Sequence, residues 1–211
     1  MMKRQHLHKT LVAVLLMALI PLTGLAAGTS ASAMLQKAAD RLSQAGSTSC
    51  NFTLTMHGGK STGTLVLASD RFHIKGEAYE IWYDGITQWS LSGQTREVTV
   101  IEPSPQELMQ INPFAIVSAF RHGYDASFAP NSPAGARTIL LRSKSAKADV
   151  KEAAVTISSK TLDPVSVVLT LADGNTATIT VTNVKTSGVK NASEFKFDKK
   201  KYPGYSINDL R

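Results

Sequence analysis

From residue 50 onward the apolar residues of this chain fall at every second position, in short runs separated by turn-forming residues. No other feature constrains the fold as much, because side chains alternate between the two faces of a β-strand and a period of two cannot be buried by a helix. Cys50, Phe52, Leu54 and Met56 share one parity, and so do Val165, Val167, Leu169 and Leu171. The run after those sets Thr176, Thr178, Thr180 and Thr182 against Ala177, Ile179 and Val181. Alternation this clean belongs to antiparallel sheets with one wet face and one buried face. The pattern predicts strands over 50–56, 63–68, 71–75, 78–83, 86–91, 95–101, 124–128, 137–142, 152–158, 165–171 and 176–185. Gly76, Asp84-Gly85, Ser92-Gly93 and Asp173-Gly174 mark turns between them, and Asp84-Gly85 between two aromatic runs is the sharpest hairpin signal. The fold class is therefore mostly β (α+β), a strongly curved antiparallel sheet or incomplete β-barrel of about 10–11 strands.

Helical spacing occurs in two places. Met34, Leu35, Ala38, Leu42 and Ala45 fall on one helical face of residues 30–45, with Thr29 or Ser30 as the cap and Gly46 as the stop. Pro103 and Pro105 end the first set of strands, and residues 105–110 read as a helical turn. Asn112-Pro113 then opens a second helix to about residue 120 that is apolar nearly all round, through Phe114, Ala115, Ile116, Val117, Ala119 and Phe120. Such a helix is either buried or covers something apolar, which makes it a candidate lid.

The N-terminus reads as a secretory signal peptide over residues 1–26. Lys3, Arg4 and Lys9 precede an apolar run over 11–25, and the small residues Gly24, Ala26, Ala27 and Gly28 follow. Cleavage is placed after Ala26, with Ala27 and Gly28 as neighbouring alternatives; the apolar run is short of the ~20 residues a membrane span needs. Residues 27–211 then make one domain, exported and soluble, with 20 basic residues against 16 acidic ones. That modest excess argues against a nucleic-acid partner. Cys50 is the only cysteine, so no disulfide can form within the chain and the core alone holds the fold.

Chemistry-bearing motifs are missing. His57, His73 and His122 have no metal-ligand spacing, and there is no nucleophile elbow, phosphate-binding loop or dinucleotide fingerprint. The reading is a protein that is not an enzyme and uses no metal or cofactor. Apolar and aromatic surface remains, and a curled sheet beneath apolar helices encloses a space that can take an apolar ligand. The candidate lining comprises Leu35, Leu42, Phe52, Leu54, Met56, Leu65, Leu67, Phe72, Ile74, Trp82 and Trp89 from the first half. Leu108, Met109, Ile111, Phe114, Val117 and Phe120 from the apolar helices complete it. Met34, Met56 and Met109 suit chains of variable shape, because thioethers adapt.

Several segments together carry a resemblance to one known family. The N-terminal amphipathic helix leads into a strand with Phe52, and residues 63–68 run into Arg71-Phe72. Residues 81–89, Ile-Trp-Tyr-Asp-Gly-Ile-Thr-Gln-Trp, are similar to the family hairpin with Asp-Gly followed by a tryptophan. Asn112-Pro113-Phe114 resembles the proline-led helix, and residues 194–207, with Phe195, Phe197, Pro203 and Gly204, resemble the closing segment. Together these segments resemble the periplasmic outer-membrane lipoprotein carriers of the LolA family, and the resemblance implies a half-barrel with lid helices whose cavity holds the acyl chains of lipoproteins. It also implies a monomeric shuttle between an inner-membrane lipoprotein-releasing ABC transporter and an outer-membrane acceptor. The family carries an arginine-proline pair shortly before the phenylalanine; here the stretch is Ser69-Asp70-Arg71-Phe72, and the gating role of that arginine is not carried over to Arg71. A second reading is a periplasmic lipid-responsive sensor or protein-interaction domain of the same fold, for which Lys196, Lys199, Lys200 and Lys201 would favour an acidic partner or an anionic headgroup.

Overall fold

The computed structural model describes residues 29–104, 107–108 and 123–211. The expected signal peptide and the apolar helix over 112–120 lie outside the described residues, as do Met109 and Ile111.

Helix α1 (Ala31–Gln44) is capped by Ser30, whose Oγ accepts from the Ala33 amide at 3.1 Å, and Gly46 follows its end at φ 65°. Twelve strands follow: β1 (Ser47–Met56), β2 (Gly59–Ala68), β3 (Arg71–Gly76), β4 (Tyr79–Tyr83), β5 (Gln88–Ser92), β6 (Glu97–Ile101), β7 (Tyr124–Phe128), β8 (Ala136–Ser143), β9 (Val150–Ser158), β10 (Pro164–Leu171), β11 (Thr176–Ser187) and β12 (Ser206–Asp209). They form one open, curved sheet in the order β12-β6-β5-β4-β3-β2-β1-β11-β10-β9-β8-β7. All eleven strands expected from the alternation are present. The twelfth is new, and it is paired parallel to β6, whereas every other pair is antiparallel. Its side chains are all exposed, so no buried parity marked it in the sequence.

Pairing of β1 with β11 joins the two halves of the sheet, and a bulge between Ser49 and Asn51 lies in that ladder. The face that carries α1, here the inner face, holds the main core. Leu35 is fully buried there with Leu65, Phe72, Ile139, Leu141, Val155, Ile157 and Val167. Gly63 makes room on this face: a Cβ at Gly63 would come within 2.7 Å of the Phe52 ring, its cross-strand neighbour. At the end of β6, Ser104 and Glu107 exchange capping-box hydrogen bonds at 2.7–3.3 Å, which opens the expected helical turn and brings Leu108 onto the inner core.

The helix and the sheet hold each other through apolar contact, so trimming the helix face is costlier than removing its cap. Leu35→Ala is expected to lower unfolding stability by about 3 kcal/mol and Ser30→Ala by about 1 kcal/mol, both read from urea denaturation.

Candidate functional site

Cross-strand register sorts the aromatic residues onto two faces. On the inner face Cys50 lies opposite Leu65, Leu65 opposite Ile74, Leu67 opposite Phe72, Phe72 opposite Tyr83 and Ile74 opposite Ile81. On the other side of β1 the row continues, with Phe52 opposite Val181, Leu54 opposite Ile179 and Met56 opposite Ala177. Thus Leu35, Leu42, Phe52, Leu54, Leu65, Leu67, Phe72, Ile74 and Leu108 are brought together in or against one apolar cluster under α1. Met56 is among the more exposed residues of the inner face, and with Leu54, Val150, Leu169, Ala177 and Ile179 it walls a pocket of 420 Å³ near the β10–β11 hairpin. Asp149 and Asp173 also border that pocket. Cys50 is buried, and burial pushes its thiol up to about 11, so it is protonated and behaves as an apolar side chain.

Trp82 and Trp89 do not join this set. They face each other across β4 and β5 on the outer face, where Trp82, Leu91, Val98 and Val100 are buried beneath Phe197, Tyr202 and Tyr205 of the C-terminal segment. Parity decides it: Tyr83 pairs with inner-facing Phe72, so Trp82, one residue earlier, points the other way. Met109, Ile111, Phe114, Val117 and Phe120 lie outside the described residues.

A polar chain sits within the outer cluster. His73 Nε2 donates to Glu80 Oε1 at 2.8 Å, Tyr202 Oη donates to Glu80 Oε2 at 2.7 Å, and the His73 ring stacks on Trp82 at 5.2 Å. Burial works against ionisation of Glu80, but the two hydrogen bonds, with Lys75 nearby, outweigh it and hold the carboxyl below its ordinary range. The Tyr202 phenol is pushed up by burial and by the Glu80 charge. At the hairpin tip, Asp84 Oδ1 accepts from the Ile86 and Thr87 amides at 3.1 and 2.9 Å, and Lys196 pairs with Asp84 at 3.2 Å. The loop is thus longer than an Asp-Gly pair, and β5 starts at Gln88, two residues later than expected.

Two inner-face polar groups were not legible in the sequence. Gln88 and Thr48 are buried there, and Gln88 Oε1 and Thr48 Oγ1 have no hydrogen-bond partner among the described residues. No group of three or more His, Cys, Asp or Glu placed to hold a metal occurs among the described residues, and none of their helices is long and apolar enough to cross a membrane.

The architecture is an open, curved sheet with an apolar cluster across much of its inner face. The family model of the outer membrane lipoprotein carrier protein LolA matches residues 24–196, and the chain belongs to that family. No curated protein sequence matches it. Among solved structures, an uncharacterized conserved protein from Thermus thermophilus is similar at 13% identity and a TM-score of 0.55, covering 82% of this chain and 98% of that one. A LolA superfamily protein from Nitrosomonas europaea aligns at 11% identity and a TM-score of 0.44, over 81% and 99% of the two chains. The Pseudomonas aeruginosa MucA/MucB complex aligns at 16% identity and a TM-score of 0.48, over 80% of this chain and 61% of that one. The first of these likenesses speaks for the fold.

Trp82 and Trp89 are the only tryptophans, and both sit on the outer face. Intrinsic fluorescence is therefore expected to follow the C-terminal segment: Phe197→Ala should shift the emission maximum to the red, while Leu54→Ala on the inner face should leave it in place. The Glu80 interaction has a definite sign with pH. Because the folded carboxyl is held below the ordinary value of 4.5, its stabilising effect is complete above that value and is lost as pH falls through the folded pKa. The stability gap between wild type and Glu80→Gln, measured by urea denaturation, is expected to be constant above about pH 5.5 and to close in more acidic solution.

Proposed function

We propose that this chain is a periplasmic carrier that takes the acyl chains of lipoproteins onto the inner face and shuttles them from the inner to the outer membrane. The observation that carries the reading is the single apolar cluster on the inner face that contains Ile74, Leu65, Phe52, Leu54, Ile179 and Leu169, together with the 420 Å³ pocket beside it. Membership of the lipoprotein carrier family supports lipoprotein acyl chains as the cargo class. Residues 1–26 act as the export signal and residues 27–211 as the single working domain, a monomer. Cargo comes from an inner-membrane lipoprotein-releasing ABC transporter and passes to an outer-membrane acceptor.

Affinity needs no catalysis. Each buried CH₂ contributes about 0.8 kcal/mol, so a long acyl chain moved from water to a dry face is held strongly. Buried sheet side chains supply the floor, and Met56 and Met34 adapt to chain shape. The apolar residues Met109, Ile111, Phe114, Val117 and Phe120 supply the cover in this reading. Gln88 Oε1 and Thr48 Oγ1 offer acceptors to donors of the cargo, such as an amide N–H. Release then requires a receptor that binds the open form more tightly than the closed one.

The test is native mass spectrometry of protein purified from a lipoprotein-producing host, with and without Ile179→Asp. The wild type is expected to carry a diacylated or triacylated lipoprotein, and Ile179→Asp to reduce occupancy at least about tenfold, since a buried carboxylate opposes apolar cargo. Neither bound lipid nor uptake of an apolar fluorophore by the wild type would overturn the proposal. A stable protein partner retained after delipidation would point instead to the sensor or interaction reading.

A further inference from the structure

The outer face of β3–β6 is covered by the chain's own C-terminal arm, and the way the arm is held differs from ordinary core packing. Phe195 is fully buried and fixes the start of the arm, with the Arg71 guanidinium 5.1 Å from its ring centre. Beyond Phe195 every aromatic of the arm is only partly buried, while Trp82, Leu91, Val98 and Val100 beneath it are buried. The arm ends in β12, whose four side chains are all exposed, so backbone pairing to β6 is most of what β12 contributes. At the centre lies one polar key, the Tyr202 hydroxyl on Glu80 Oε2, with Glu80 in turn fixed by His73 and 4.0 Å from Lys75. Trp82 packs against both Phe197 and Tyr202, at 5.6 Å between ring centres in each case.

An aromatic floor with a buried charged acceptor, beside a strand edge, is the anatomy of a peptide-recognition surface. We propose that residues 196–209 are a releasable strap over such a surface, and that the surface accepts in trans an extended peptide segment bearing a phenol that reaches Glu80. The arm itself states the chemistry of the occupant. A Phe197-like ring packs on Trp82, a Tyr202-like hydroxyl donates to Glu80, and a short strand pairs parallel to β6. Release of a segment held by partly buried rings and an exposed strand is a local opening that leaves the inner core folded. The strap therefore competes with any such peptide, and apparent affinity falls by the fraction of molecules in which the strap is closed. The groups facing Glu80 are His73 and Lys75 from β3 and Tyr202 from the arm, with Glu194, Lys196, Asp198 and Lys201 around the same 230 Å³ pocket. This surface is on the opposite side of the sheet from the apolar inner face, so the proposal stands apart from the carrier reading.

The test uses the full chain and a synthetic peptide of residues 194–211, labelled at its N-terminus and followed by fluorescence anisotropy. Tyr202→Phe loosens the strap while leaving Glu80, His73 and Trp82 in place, and Tyr205→Ala loosens it independently. Each variant is expected to bind the peptide at least about tenfold tighter than the wild type, because loss of one charge-assisted hydrogen bond or one ring contact shifts the strap toward open. Adding Glu80→Gln to Tyr202→Phe, or using a peptide with Phe at position 202, is expected to cancel that gain. Hydrogen exchange on β9 and β10 checks that the inner core stays folded in each variant. Equal affinity for wild type and both loosened variants, or no binding to either variant with the core amides protected, would overturn the proposal.

Discussion

An unclosed sheet has two apolar faces to cover, and that constraint organises everything else in this molecule. In a closed small barrel the wall seals one interior and water wets the outside. Here the wall runs from β12 to β7 without closing. Alternating side chains send Phe72, Ile74 and Tyr83 inward while His73, Glu80 and Trp82 on the same strands point outward. Neither set can be left in water, so segments outside the strands must lie on both sides. Helix α1 takes the inner side and the C-terminal arm takes the outer.

The two covers solve the problem differently. On the outer face, rings meet rings at 5.2–5.8 Å and the buried Glu80 carboxylate has both oxygens hydrogen-bonded. The 230 Å³ pocket left there is bordered by the charged groups Glu80, Glu194, Lys196, Asp198 and Lys201. On the inner face, the pocket beside Met56 and the oxygens of Gln88 and Thr48, unpartnered among the described residues, coexist with a densely packed floor around Leu35 and Val155. A face that is packed at one end and open at the other suits a guest that is itself apolar and variable in length.

Strand existence was legible because period-two burial leaves a mark on every strand that has one buried face. The strand β12 escaped because it has none: Ser206, Ile207, Asn208 and Asp209 are all exposed. The apolar set Phe52, Leu54, Leu65, Phe72 and Ile74 was legible as one face because each residue keeps its parity within its own strand. Assignment of Trp82 and Trp89 to the same interior failed for a related reason. Parity within a run says which residues share a face, but only the pairing register between runs says which face that is. In the sequence, Trp82 and Phe72 are both aromatic residues in apolar runs; only the opposition of Phe72 and Tyr83 separates them. The polar chain through Glu80 was out of reach for the same cause, since Tyr202 lies 122 positions away in the sequence.

Register also fixes the side of the sheet on which Arg71 lies. Arg71 immediately precedes Phe72, so its side chain leaves β3 on the outer side, where its guanidinium lies over the Phe195 ring. It therefore belongs to the anchor of the C-terminal arm. Nearby, Lys196 pairs with Asp84 of the β4–β5 loop, and Gly85 approaches so closely that a Cβ there would sit 2.8 Å from Asp70. The charged groups at this end of the sheet thus tie turns and arm to one another.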